Sequence, residues 1–256
     1  MMDNRISTVS LRDLVNFDAK TVPLVVPSSF LLEFSAPELP VLAPHEQMVL
    51  ALLARIISPR TILEFGTGQG FSSYLWAENT SDSARIVTLD LDPAAQRDYT
   101  AKILRGDEAV GRVYRESDQS EKVWQVLVRP GGPIPESLSS LKGNVDLIFV
   151  DGDHSYDGVA HDTELAFEFA HEDTVFLWHD FYRFPNYIAE GPERRGVYPY
   201  LNELADRGSL KLHHIAGTYL VAGCKNWSGK PKGQVFVPGA HGDGEARQRI
   251  LRLGDF

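Results

Sequence analysis

The chain has 256 residues, 43% of them hydrophobic and 23% charged, with a formal net charge of -10. That length fits one large domain or two small ones, and the mix is that of an ordinary globule. The negative charge argues against broad nucleic-acid or anionic-membrane binding, because phosphate is repelled on average.

Arg194 and Arg195 form the one compact arginine pair, and their surroundings read as a solvated loop. Arg5 and Arg12 lie near the N-terminus without the continuous apolar core of a secretory signal. No run of eighteen apolar residues occurs, so no ordinary membrane-spanning helix is expected. The single cysteine, Cys224, sits in the apolar run YLVAGC, cannot form an internal disulfide, and reads as a buried thiol. A cytoplasmic protein fits these features.

Residues 1–43 contain VPLVVPSSFLLEF, whose prolines favour an extended arm packed on the core. From Pro44, PHEQMVLALLARIISP has a helical rhythm and stops at Pro59. TILEF then reads as a strand, GTGQG as a tight turn, and FSSYLWAENT as a helix. RIVTLDLD predicts a second strand ending in acids, and PAAQRDYTAKILRGDEAV a helix. GRVYRES predicts a third, weaker strand and SEKVWQVLV a helix that stops at RPGGP. DLIFVDGDH predicts a strand with an acidic loop, YDGVAHDTELAFEFA a helix, and TVFLWHD a fifth strand.

YPYLNELADRG reads as a later helix. KLHHIAG and YLVAGCKN are strands with too short a link for a crossover, so they must pair antiparallel. GEARQRILRL predicts a brief helix in the glycine-rich tail. Strands that alternate with helices and are apolar on both faces predict a mostly parallel α/β sheet with helices on each side. No internal repeat or second core is visible.

The chemistry sits at the ends of apolar runs. Gly66, Gly68 and Gly70 follow one strand and open a helix, where glycine permits a sharp turn and close ligand approach. Asp90 and Asp92 end the next strand. A carboxylate there can accept both hydroxyls of a ribose, while Asp92 also suits a cap on the helix opened by Pro93. Asp90 is therefore the better ribose ligand. Glu64, just before the first glycine, is awkward for pyrophosphate but suits a cationic ligand. No Gly-Lys-Ser/Thr follows, and no Tyr-x-x-x-Lys is present, which count against a P-loop and a short-chain dehydrogenase.

With ILEFGTGQG, LDLD and the late antiparallel pair in this order, the chain resembles class I S-adenosylmethionine-dependent methyltransferases over roughly residues 45–226. VDGDHSYDGVAHD resembles more narrowly the macrocin O-methyltransferase-like and cephalosporin hydroxylase-like subgroup. The resemblance implies a Rossmann-like methyltransferase fold: a seven-stranded, mostly parallel sheet with an antiparallel C-terminal strand. It implies a binding domain over 44–228, with an arm at 1–43 and a tail at 229–256 of the same unit. It places Gly66, Gly68 and Gly70 beside the methionine part of S-adenosylmethionine, Glu64 close by, and Asp90 on the ribose. Asp118, in RESDQS, is either an adenine-side residue or a cap on the helix predicted over SEKVW.

Asp151 follows the fourth strand, and His179 and Asp180 follow the fifth, so these groups can meet at the common cleft. Such oxygens with a nitrogen suit Mg2+ or another divalent cation. In related metal-dependent O-methyltransferases, acids at these places bind magnesium and a nearby His or Lys is the base. Asp151 and Asp180 match that pattern, whereas His179 stands where an oxygen ligand is usual. His154, three residues past Asp151, is either the general base or a residue that pins the loop or touches the cofactor.

Asp153 or Ser155 is read as a helix cap and Asp162 as a local hydrogen-bonding acid. His213 and His214 point to opposite faces of a strand. Tyr182, Phe184 and Tyr187 face a substrate or pack a lid.

The implied function is methyl transfer to a small-molecule hydroxyl, with no nucleic-acid or membrane partner; the arm at 1–43 either covers the active site or mediates self-association into a homo-oligomer. The alternatives are an NAD-dependent oxidoreductase, or a non-catalytic or chemically diverged protein with the same cofactor pocket.

Overall fold

Thr61–Phe65 is apolar on both faces, and everything from Ile62 to Phe65 is buried, so it forms a central strand. The structure, a computed structural model, describes residues 6–15, 23–26, 42–92, 110–129, 132–182, 196–226 and 249–252. Its strands are β1 (Ser7–Val9), β2 (Pro23–Val26), β3 (Thr61–Phe65), β4 (Arg85–Leu91) and β5 (Val123–Val128), followed by β6 (Val145–Val150), β7 (Ala170–Trp178), β8 (Lys211–Ile215), β9 (Val221–Cys224) and β10 (Arg249–Arg252). Its α-helices are α1 (Leu11–Val15), α2 (Pro44–Ile57), α3 (Phe71–Asn79), α4 (Arg112–Arg115), α5 (Tyr156–Phe169) and α6 (Val197–Arg207).

The main sheet has the order β1-β8-β9-β7-β6-β3-β4-β5. Its strands run parallel except β9, which is antiparallel to β7 and to β8. The order reverses at β3, which pairs with β4 on one side and β6 on the other. That reversal opens a crevice at the carboxyl ends of the strands, where such sheets bind ligands.

Alternation along the strands sorts the core into two layers. Ile62, Ile86, Leu147 and Leu177 pack with Leu50 and Leu53 of α2 and Leu75 and Trp76 of α3. Leu63, Val87, Ile148 and Phe176 pack with Val159 and Phe169 of α5 and Leu201 and Leu204 of α6. Each fully buried side chain of this kind stabilises the fold by about 1.5–3 kcal/mol.

The mostly parallel Rossmann-like architecture with helices on both faces is as expected, and the seven anticipated strands become eight. The eighth is β1, which pairs parallel with β8, Ser7 opposite His213 and Val9 opposite Ile215. Three residues carry too little pattern to announce a strand; the free edge of β8 creates one.

The stretch before β5 is the main local correction. GRVYRES forms the short helix α4 rather than a strand, and VWQVLV forms β5 rather than helix, preceded by one 3-10 turn at Ser120–Lys122. The β-branched valines follow strand preference once β4 supplies an edge to pair with. The helix predicted over GEARQRILRL is likewise overturned at Arg249–Arg252, which pairs antiparallel with β2. The helix predicted from Pro93 falls, up to residue 109, outside the described residues, as do Phe184 and Tyr187. Among the described residues no helix is long and apolar enough to cross a membrane.

Candidate active site

The glycine turn and the acidic loop are pressed together. Gly66 has φ +94°, and a Cβ there would lie 2.1 Å from the carbonyl oxygen of Asp151. Only glycine tolerates both the backbone angle and the approach. The Asp151 amide also donates to the Phe65 carbonyl at 2.8 Å, which locks the end of β6 to the end of β3. Gly68, by contrast, has no atom within 4 Å of where its Cβ would sit, so this part of the turn faces open space. Gly70 begins α3.

Asp90 closes the turn from β4. Its Oδ2 accepts from the amides of Thr67 at 3.0 Å and Gly68 at 2.8 Å, and its Oδ1 accepts from Leu91 N at 2.7 Å. The carboxylate thus stands at the mouth of the glycine turn.

Glu64 is placed differently from the expectation of a ligand beside the cofactor. It is fully buried on the α3 face of the sheet, accepting from the Ser73 hydroxyl and, at 3.3 Å, from Trp76 Nε1. Burial pushes its pKa up to about 7, against the opposing hydrogen bonds of Ser72, Ser73 and Thr88. In this arrangement it ties β3 to α3.

Asp118 precedes β5 instead of following it, and its side chain is exposed. The reason for expecting it at the adenine side, a position after the third strand, is therefore not met; nor is there a helix over SEKVW for it to cap beyond one 3-10 turn.

The acids and histidines do meet. His154 Nδ1 lies 2.8 Å from Asp180 Oδ2, and its Nε2 lies 3.6 Å from Asp151 Oδ1. His179 Nδ1 sits between the same two carboxylates, 3.2 Å from Asp151 Oδ1 and 3.3 Å from Asp180 Oδ1. Consecutive residues of an extended strand face opposite ways. Asp180 escapes that rule with φ +57°, a left-handed conformation that aspartate tolerates better than most residues, so both His179 and Asp180 reach the centre.

The loop carrying His154 is fixed from several sides. Ser155 caps α5, its Oγ accepting from Gly158 N at 3.0 Å, as expected for one of the two cap candidates. Asp162 accepts from the Asp153 amide, in keeping with its reading as a local acid. Gly196 N donates to the His154 carbonyl at 2.9 Å.

Charge balance explains the protonation states. Burial alone would lower the pKa of His154, but Asp151 and Asp180 hold it up to about 10. Burial likewise opposes charge on His179, and the surrounding carboxylates again win and raise its pKa well above the ordinary value. Burial would raise Asp151 and Asp180, yet the histidines outweigh it and both carboxyls are held low. Two imidazolium groups thus sit among three crowded carboxylates, Asp151, Asp180 and Glu46.

Asp151, His154 and Asp180 offer ligand atoms that all lie within 4.8 Å of one another. Two ionised carboxylates and an imidazole are a donor set that fits a divalent cation. The expected set had His179 in place of His154; His179 touches both acids and is the alternative nitrogen.

Two residues at the centre were not among the expected ones. Glu46, from the first turn of α2, is 1% exposed and lies 3.2 Å from His179 Nε2. In the sequence its spacing from Ala43 reads only as helix-start chemistry. Tyr219, in the turn between β8 and β9, packs against Tyr182 with ring centroids 4.5 Å apart, and Tyr182 hydrogen bonds to Asp180. His213 and His214 are spent elsewhere, with Nδ1 atoms 2.8 Å from Ser7 Oγ and 3.2 Å from Thr8 Oγ1.

Residues 63–181 match a methyltransferase domain family, and the match runs from β3 through the glycine turn to the residue after Asp180. A catechol O-methyltransferase of Niastella koreensis is 27% identical over 146 residues, 56% of this chain and 58% of that protein. A catechol O-methyltransferase of Mycobacterium tuberculosis is 32% identical over 121 residues, 46% of this chain and 48% of that protein. The chain thus spans only about half the length of these relatives.

Among solved structures, an O-methyltransferase from Bacillus cereus in complex with SAH superposes with TM-score 0.52 at 22% identity, covering 77% of this chain and 89% of that one. TomG from Streptomyces achromogenes, in complex with SAM, gives TM-score 0.52 at 22% identity, covering 77% and 86%. Those likenesses establish the fold. Sheet order and glycine turn agree with that fold, and the matched span covers the part of the chain that carries both.

Proposed function

We propose that the protein transfers the methyl group of S-adenosylmethionine to a hydroxyl of a small molecule at the centre formed by Asp151, His154 and Asp180. The observation that carries this reading is the contact of Gly66 with the Asp151 carbonyl. It sets the turn that would take the methyl donor directly against the acids that would take the acceptor.

The donor would lie along the open side of the turn at Gly68, with Asp90 at the mouth to accept ribose hydroxyls. The acceptor oxygen attacks the methyl carbon, the carbon–sulfur bond breaks as the carbon–oxygen bond forms, and the hydroxyl proton leaves to a base. The donor's positive sulfur needs no activation, so alignment within this crevice is the main requirement.

A divalent cation fits Asp151 and Asp180 with His179 as the nitrogen, which leaves His154 for proton transfer. When bound it would hold an acceptor hydroxyl and lower its pKa. His154 serves as the base once neutral, a state its carboxylate partners oppose until a competing cation takes up their charge. The tilted ring pair of Tyr182 and Tyr219 beside Asp180 supplies an aromatic wall, which suits an aromatic hydroxyl. The names of the two relatives make catechols the first acceptors to assay.

Calorimetric titration of metal-stripped protein with S-adenosylhomocysteine, repeated with magnesium, tests the reading. One-site binding is expected, followed by methylated catechol on mass analysis when S-adenosylmethionine is supplied. Folded protein that binds no S-adenosylhomocysteine in either condition would overturn it.

A further inference from the structure

Glu46 makes an unusual set of contacts for the third residue of a helix. It is 1% exposed, and its two oxygens serve three N–H donors from three separate parts of the chain. Oε2 accepts from Ala43 N at 3.2 Å and from His179 Nε2 at 3.2 Å, while Oε1 accepts from Tyr219 N at 2.7 Å. The first contact belongs to ordinary helix capping. The other two do not, because they reach β7's end and the β8–β9 turn, 133 and 173 residues away in sequence.

Chemistry explains why an acid stands here. All three partners are donors, so a carboxylate satisfies them all, whereas a glutamine of the same shape must turn its NH2 group toward at least one of them. Holding Nε2 also fixes the ring of His179, which is what aims Nδ1 between Asp151 and Asp180. Holding Tyr219 N fixes the turn whose ring packs on Tyr182.

We infer that Glu46 is a positioning residue for the acid–histidine centre, acting through His179 and through the Tyr219 turn rather than by touching substrate. This deepens the methyltransferase reading and rests on it for its functional meaning. Outer contacts of this kind orient ligating histidines and decide how well a metal site is formed.

Glu46→Gln separates positioning from capping, since glutamine is as acceptable as glutamate at this place in a capping box. The test uses the full chain with 15N-labelled histidine, and compares wild type, Glu46→Gln and Glu46→Ala. In wild type the His179 Nε2–H is expected as a protected, downfield imidazole signal. In Glu46→Gln that signal moves or exchanges away, Mg2+ or Mn2+ affinity falls about 10–100-fold, S-adenosylhomocysteine affinity stays close to wild type, and the melting temperature falls by less than in Glu46→Ala. Glu46→Ala adds the loss of the cap and melts earlier.

A Glu46→Gln protein with an unchanged His179 signal would overturn the inference and leave Glu46 a helix cap. Should wild type itself bind no S-adenosylhomocysteine, the methyltransferase reading fails, while the His179 signal still decides the role of Glu46.

Discussion

The backbone carbonyl of Asp151 occupies the space that a side chain at Gly66 would need, with 2.1 Å between the oxygen and the Cβ position. The two residues directly follow the neighbouring parallel strands β3 and β6, and their contact joins the glycine turn to the acidic loop. Gly66→Ala is expected to cost about 1–2 kcal/mol from its left-handed backbone alone, and more from the clash. Gly68→Ala meets no atom within 4 Å, so at φ +49° it should carry only the left-handed backbone cost, lose less stability than Gly66→Ala, and weaken S-adenosylhomocysteine binding. Thermal melts beside calorimetry would separate the two; equal stability of both variants would contradict the close approach.

Glu64 links stability to pH. Its folded pKa of about 7 lies above the ordinary value of 4.5, so the folded state holds this proton more tightly than the unfolded chain does. The sign follows: the contribution is full below about 4.5 and is lost as pH rises to about 7. Glu64→Gln removes the titration. Denaturant melts from pH 4.5 to 7.5 should therefore show wild type losing up to about 3 kcal/mol relative to the variant. Parallel curves would show that Glu64 is not held as an acid of raised pKa.

His154 carries the opposite kind of charge with the same direction of shift. Its pKa is raised from 6.5 to about 10 by Asp151 and Asp180, so its stabilising effect is present below 6.5 and disappears as pH rises through about 10. A divalent cation on those carboxylates must displace that positive charge. Cation affinity should accordingly rise with pH, with proton release visible as a buffer-dependent heat. His154→Ala should bind Mg2+ with a flatter pH dependence, and an equal dependence in both proteins would count against His154 as the competing cation.

Tyr219 is 42% exposed, so its removal should spare the core. Tyr219→Ala is expected to leave the melting temperature and S-adenosylhomocysteine affinity unchanged, while raising KM for a catechol acceptor roughly two- to tenfold through the lost ring contact. Unchanged KM would place the acceptor away from the Tyr182–Tyr219 wall.

Much of the site was legible because its parts lie at the ends of long apolar runs. Gly66, Gly68, Gly70, Asp90, Asp151 and Asp180 each end or follow a strand that reads clearly, and a parallel sheet carries such ends to one side. The stretch from Gly111 to Val128 failed for the converse reason. Its segments are short, their local preferences are weak, and α4 and β5 took the forms that packing against α3 and pairing with β4 allowed.

By itself the sequence determined the alternation of strands and helices, the glycine turn, the acids that follow β6 and β7, and hence the class of fold. Tertiary structure alone decided that β1 would complete the edge beside β8, that Glu64 would face α3, and that Glu46 would reach His179. The physical reason is range. Periodicity and turn chemistry act over a few residues and leave a record in the chain, whereas a hydrogen bond across 133 residues depends on where the fold brings its two ends.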